Sequence, residues 1–281
     1  MRGYHDRVTS PEPPDMPRFD PTVPSQARVF DRLTGGKDNF APDRGLAEIF
    51  LEIAPELPVL FRERCRFFDR AARFLVDAGV RQFIDVGCGM PAPHNLHHVL
   101  RPIAQDAKVV YVDHDPVVVS HGRALAEVHD TVRYVHADAR DPDRMLDHPD
   151  LTQVIDLNDP VAILLDSLLS PITEDDVVTT MVRRIIERLP SGCGYLLITD
   201  SVSDIRPEVT AALARLYQEQ GVVKGEHKEN TRSWKELEHF MDGLQLVPPG
   251  MVPLPGWRPH LGEPTVDTAT FWLVGGIGRK P

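Results

Sequence analysis

A chain of 281 residues with 42% hydrophobic and 26% charged residues can bury a sizeable core and has the composition of an ordinary globular protein. Its formal net charge of −11 and the lack of any Lys/Arg-rich block argue against a nucleic-acid backbone as partner, and no apolar run approaches the roughly 20 residues that span a bilayer. The first residues, MRGYHDRVTSPEPP, carry no apolar secretory core, and Cys65, Cys88 and Cys193 show no C-x-x-C spacing, so a small-molecule partner in the cytoplasm is the expectation.

Residues 1–24 are rich in proline and charge (PEPPDMPRFDPTVP) and lack apolar periodicity, which predicts a flexible tail. From Ser25, SQARVFDRL reads as a short helix that Gly35 or Gly36 ends, and a second helix starts near Asp43. The stretch LPVLFRERCRFFDRAARFLVDAG then sets Leu60, Arg64, Phe67, Ala71 and Phe74/Leu75 at three- and four-residue spacing and stops at Gly79. That spacing predicts a long amphipathic helix and completes a helical extension over 25–80.

From residue 81 to 281 short apolar runs alternate with helical stretches. Strands are predicted at Gln82–Val86, Val109–Val112, Val132–His136, Val161–Leu165 and Gly194–Thr199, with helices at Val117–Val128, Glu174–Leu189 and Arg206–Gln220. Alternation of this kind implies an α/β domain with a parallel sheet covered on both faces. After a helix at Ser233–Met241, the extended segments Leu244–Leu254 and Thr270–Gly276 are joined by a Pro/Gly loop with no crossover helix, so they should pair as an antiparallel hairpin.

Ligands of open α/β sheets bind outside the carboxyl ends of the strands, and three of these exits carry acids in order. The first, FIDVGCGMPAPHN, ends in Asp85, Gly87 and Gly89. Its glycines allow a tight turn and close backbone approach, as in a dinucleotide loop, yet Asp85 would repel a pyrophosphate and suits the ammonium and sulfonium of S-adenosylmethionine. At the second exit, VVYVDHDP, Asp113 lies 24 positions after Gly89 and can accept both ribose hydroxyls of an adenosine, with His114 beside the adenine and Asp115 capping the next helix. The third, VRYVHADARD, offers the Asp138 carboxylate to an adenine amino group and the Ala139 amide to a ring nitrogen. A plain strand-to-helix turn or a surface acid would account for any one of these alone; the series points to an adenosine ligand.

These three motifs, the helical entry and the C-terminal hairpin resemble class I S-adenosylmethionine-dependent methyltransferases. More narrowly, TGGKDNF (34–40), RQFIDVGCGMP, VVYVDHDPVVVSHGRALA, VRYVHADARDP, FMDGLQLVPPGMVPLPGWRP and GGIGRKP are similar to an actinobacterial family of such enzymes first catalogued as a domain of unknown function. The resemblance runs from about Pro24 to the end. It implies a Rossmann-like, mostly parallel sheet with an antiparallel C-terminal hairpin. Cofactor-binding roles follow for Asp85, Gly87, Gly89, Asp113, Asp138 and Ala139, and TGGKDNF, with Lys37 and Asp38, would fold over the cofactor or acceptor pocket. The same seven residues also read as a helix stop followed by a turn.

The chain departs from that family at two positions, where Ser170 in ILLDSLLSP and Asp200 in LLITDSVSD stand in place of histidines. Methyl transfer needs a nucleophile held at near-attack distance, and a general base is optional. Asp166 or Asp200 are the candidates for accepting a proton, with Asp166 alternatively holding the methionine ammonium or capping a turn. The helical trio His94, His97 and His98 has no Cys or carboxylate close by in sequence and reads as a solvated face, with no metal expected. Trp234, Trp257 and Trp272 read as packing anchors. A methyltransferase acting on a small molecule is the leading expectation, ahead of a non-catalytic S-adenosylmethionine-binding protein and an NAD-dependent oxidoreductase.

Overall fold

Buried charges tie the first two helices ahead of the sheet to each other and the third to the C-terminal region. The structure, a computed structural model, describes residues 20–92, 94–126, 130–223, 228–264 and 266–281, so most of the expected tail lies outside the described residues. Ser25 caps α1 (Gln26–Leu33), accepting from the Arg28 amide at 3.3 Å, and Gly35 with φ 87° ends it. In the first turn of α2 (Ala41–Ile53) the fully buried Asp43 accepts from the Phe40 amide at 2.8 Å, the Ser25 amide at 3.0 Å and Arg28 Nε at 2.9 Å. One carboxylate thus fastens the starts of both helices, and losing either member of the Arg28–Asp43 pair would strand a buried charge.

The long helix α3 (Leu57–Asp77) buries Leu60, Phe61, Phe67, Ala71 and Leu75 and stops before Gly79, φ 90°. Arg70, on its buried side, donates to the carbonyls of Leu254 and Trp257, each at 2.7 Å, and pairs with Glu263 at 2.7 Å. Phe67 meets the Trp257 ring edge-on at 5.3 Å between centroids. The helical extension therefore shares one apolar core with the sheet and with the C-terminal region.

The sheet contains β1 (Gln82–Val86), β2 (Lys108–Asp113), β3 (Val132–His136), β4 (Val161–Asp166), β5 (Gly194–Ser201), β6 (Gln245–Leu246), β7 (Val252–Pro253) and β8 (Leu273–Arg279). The order is β3-β2-β1-β4-β5-β8-β6, with β7 also on β8. Strands β1 to β5 run parallel and β8 is antiparallel to β5. Helices α4 (Leu96–Leu100), α5 (Pro116–Ala126), α6 (Pro142–Leu146), α7 (Pro149–Thr152), α8 (Asp175–Arg188), α9 (Pro207–Glu219) and α10 (Trp234–His239) and a 3-10 turn at Leu254–Gly256 complete the described elements. Both faces of the sheet are covered: along β1 Phe83 packs into one core and Ile84 and Val86 into the other. Among the described residues no helix is long and apolar enough to cross a membrane.

The Rossmann-like sheet with antiparallel C-terminal strands is the one expected, with three differences. The segment Leu244–Leu254 is not one strand: Leu246 pairs with Gly278 and Val252 with Gly275, so Val247–Met251 bulges opposite Gly276 and Ile277. Pro248 and Pro249 in that bulge have no N–H to give a ladder. The final strand runs Leu273–Arg279 instead of Thr270–Gly276, and it inserts between β5 and β6. That close fit needs a glycine, since a Cβ at Gly275 would come within 2.8 Å of Leu254 Cδ2 and Thr199 Cγ2. The short helices α6 and α7, each opened by a proline, lie where no helix was predicted, being too short to show a periodicity. Residues 127–129 at the end of the predicted helix Val117–Val128 lie outside the described part.

Candidate functional site

Strand order reverses between β1 and β4, and the carboxyl ends there open onto a cleft of about 990 Å³. Gly87 and Gly89 have φ 72° and 66°, a left-handed backbone that side chains resist. A Cβ at Gly87 would also lie 2.6 Å from Leu168 Cδ1, whereas no atom lies within 4 Å of one at Gly89, whose face opens to the cleft. Asp113, only 5% exposed, accepts from the Gly89 amide at 3.0 Å and the Asp115 amide at 2.9 Å. One carboxylate locks the glycine loop to the second exit, and its Oδ2, with the Gly89 amide as its one donor among the described residues, keeps a lone pair. His114 stands 3.5 Å from the carboxylate, and the hydrogen bond to Asp113 holds the imidazole above its usual range. Asp115 accepts from the Val117 amide at 2.8 Å and so caps α5 as expected.

Asp85 lines this cleft and makes no hydrogen bond or ion pair with any described residue. Desolvation pushes its carboxyl up to about 7, against the pull of Arg64 and with the help of Asp113. Asp138 and Ala139 line the cleft at the third exit. The Asp138 carboxylate is already gripped by Arg140, through Nη2 at 2.6 Å and Nε at 3.0 Å, which holds it below the usual range. An adenine amino group would have to compete with that fork.

Arg64 is a cleft-lining residue that the sequence does not single out. It projects from α3 to pair with Asp166, lies 5.3 Å from the Phe68 ring, and its buried Nε has no acceptor among the described residues. The signal was an arginine on an otherwise apolar helical stripe. Asp166 also accepts from the Thr199 hydroxyl across the β4–β5 pair. Asp200 accepts from the Leu169, Ser170 and Ser201 amides at 2.9, 2.9 and 2.7 Å and from the Ser170 hydroxyl. Asp200 is therefore saturated by protein donors, whereas Asp166 takes one donor on each oxygen.

In TGGKDNF, Gly35 stops α1, and Asp31 accepts from the Asp38 amide at 2.9 Å and Asn39 Nδ2 at 2.7 Å. A Cβ at Gly36 would sit 1.8 Å from Asp31 Oδ1, so the loop folds tightly and carries Lys37 and Asp38 to the cleft wall. Helix stop and cleft wall are one structure. Of the histidine trio, His94 pairs with Asp69 at 3.3 Å and His97 Nδ1 contacts Tyr111 Oη at 2.7 Å, while the His98 ring lies 4.0 Å from that of His97. Beside the cleft lies a second cavity of about 110 Å³; Gln26, Phe30, Ser167, Pro171 and Val223 line both.

A family model described as S-adenosyl methyltransferase matches residues 13–281. The chain belongs to that family. As a methyltransferase of this kind it uses S-adenosylmethionine, which sets aside the NAD-dependent and the non-catalytic alternatives. A DUF574 family protein from Streptomyces avermitilis MA-4680 is 33% identical, with a TM-score of 0.85 over 94% of this chain and 100% of that one. A candidate methyltransferase from Thermobifida fusca YX is 38% identical, with a TM-score of 0.83 over 92% of this chain and 96% of its own. The plantazolicin methyltransferase BpumL, in complex with S-adenosylhomocysteine, covers 91% of this chain and 95% of its own at 10% identity and a TM-score of 0.52, a likeness of fold alone. Among curated proteins none matches.

Proposed function

We propose that the cleft seats S-adenosylmethionine with its ribose at Asp113, its adenine between His114 and Ala139, and its methionine ammonium at Asp85, and that the methyl group passes to a small molecule and not to nucleic acid. The observation that carries this reading is Asp85. A cleft carboxylate with no hydrogen-bond or ion-pair partner among the described residues, held near half-ionisation at neutral pH, gains from an arriving cation and would repel a pyrophosphate. The open face of Gly89 supports the fit by leaving room for a close backbone approach.

Arg64 suits the methionine carboxylate, because its buried Nε lacks an acceptor that a carboxylate would supply. Lys37 and Asp38 wall the cleft, and Asp138 reaches the adenine amino group if Arg140 yields. The cofactor supplies a methyl group activated by a sulfonium. The chain's own residues hold the two reactants together, and catalysis by positioning suits a site whose acids Asp166 and Asp200 are both engaged in ordering the ends of β4 and β5. The acidic balance of −11 supports an acceptor other than DNA or RNA.

Calorimetric titration with S-adenosylmethionine, S-adenosylhomocysteine and NAD tests the reading. The first two are expected to bind and NAD to give no heat, and Asp85→Asn should weaken S-adenosylmethionine roughly tenfold to a hundredfold. Tight NAD binding with no response to the other two would overturn it.

A further inference from the structure

The second cavity is roofed by the N-terminal helices and walled by α9, with Phe30, Phe50, Phe61, Leu213 and Trp272 giving it an apolar lining. Five buried side-chain nitrogen or oxygen atoms lack a hydrogen-bond partner among the described residues. Three of them, Ser167 Oγ, Tyr217 Oη and Thr231 Oγ1, belong to residues lining this chamber, and a fourth, Arg64 Nε, belongs to the adjoining cleft. Unmatched buried hydroxyls cost stability, and the residues that carry three of them line one small cavity, where a polar ligand would offer them partners. Ser167 sits where chamber and cleft meet and holds a left-handed backbone, φ 52°, a conformation that non-glycine residues adopt at a cost and that gathers at functional sites.

Among the described residues, the charges around the chamber are already matched. Arg232 donates to the carbonyls of Leu169 and Ile172 at 2.7 and 2.8 Å and to Asp175 at 2.9 Å; Lys228 also pairs with Asp175, and Asp200 holds its four donors. A charged ligand would find no free counter-charge among the described lining residues to offset its desolvation. At about 110 Å³ the space is of the order of an engineered apolar cavity of ~150 Å³ that takes up benzene.

We propose that this chamber is the acceptor site and that it takes a neutral molecule built on a single ring with hydroxyl substituents, oriented by Tyr217 and Thr231 and presented to the cleft past Ser167. The proposal rests on the reading of the cleft as the cofactor site.

The test uses the full chain saturated with S-adenosylhomocysteine and titrated with resorcinol, with benzoate as the charged ring of similar size, followed by ligand-observed NMR. Saturable resorcinol binding is expected, with none for benzoate. Tyr217→Phe and Thr231→Val should each weaken resorcinol by roughly twofold to tenfold. Ala214→Trp, placed on α9 against the chamber, should abolish its binding. All three variants should keep wild-type affinity for S-adenosylhomocysteine, which shows that they fold. Tyr217→Phe should also melt no lower than wild type without ligand, because it removes an unmatched hydroxyl; a merely structural role would lower it. Equal binding of benzoate, or resorcinol binding unchanged in Ala214→Trp or in both conservative variants, would overturn the proposal. A missing heat for S-adenosylhomocysteine would instead fall on the cleft assignment, while resorcinol binding sensitive to these substitutions would still support the chamber.

Discussion

The Ser170 hydroxyl donates a hydrogen bond to the Asp200 carboxylate, joining the exits of β4 and β5. These are the two positions at which the resemblance implies histidines, and here they form a single, mutually satisfied pair. Asp200 is 2% exposed; burial pushes its carboxyl up, and the hydroxyl and two backbone amides pull it back. The pair also touches the apolar chamber, whose polar rim it completes.

Because three backbone amides converge on Asp200, its loss should be felt by the fold. Asp200→Ala is expected to destabilise the protein by about 3–5 kcal/mol, leaving buried amides unmatched, while Ser170→Ala costs about 1–3 kcal/mol. Denaturant unfolding of both variants checks this. Equal midpoints for Asp200→Ala and wild type would show that the loop finds other partners.

The carboxyl of Asp85 titrates higher in the folded chain than in the unfolded one, so its contribution to stability is complete in acid and is lost as pH rises through about 7. Asp85→Asn should therefore melt above wild type at pH 8, with the difference shrinking towards pH 5. Cofactor binding has the opposite dependence, since the ionised acid is the form that meets an ammonium. Wild-type affinity for S-adenosylmethionine should rise roughly tenfold between about pH 6 and 8, with proton release visible as a buffer-dependent heat. A flat profile, or one shared by Asp85→Asn, would remove Asp85 from the ammonium site.

Asp113 and Asp115 separate a ligand contact from a helix cap. Asp113→Ala should weaken S-adenosylhomocysteine roughly tenfold to more than a hundredfold, partly because the Gly89 amide loses its anchor. Asp113→Asn should fall between alanine and wild type. Asp115→Ala should leave affinity unchanged and cost about 0.5–2 kcal/mol of stability. Affinities and melting temperatures of the three variants decide; loss of binding in Asp115→Ala alone would reverse the assignment.

For Arg64, the informative comparison is between ligands. Arg64→Met is expected to lower affinity for S-adenosylhomocysteine roughly tenfold or more and to leave 5′-methylthioadenosine, which lacks the amino-acid portion, unaffected. An equal loss for both ligands in calorimetry would mean that Arg64 acts only by ordering Asp166 and the end of β4.

The sequence by itself determined what depends on near neighbours. Hydrophobic runs marked β1 to β5 to within two residues at either end, the Gly35-Gly36 pair and Gly79 marked helix stops, Asp115 announced its cap, and the acids at three successive exits announced the cleft. Each is legible because backbone sterics, short-range hydrogen bonds and side-chain periodicity act over a few residues. Tertiary structure alone decided the rest. It set β8 between β5 and β6, split the preceding segment around Pro248 and Pro249, and turned Arg140 onto Asp138. It carried Arg64 across 102 positions to Asp166, and it gathered Ser167, Tyr217 and Thr231 from separate elements around one cavity. Those juxtapositions follow from how helices pack on the finished sheet, where burial is shared among residues far apart in the chain and no local pattern records the partner.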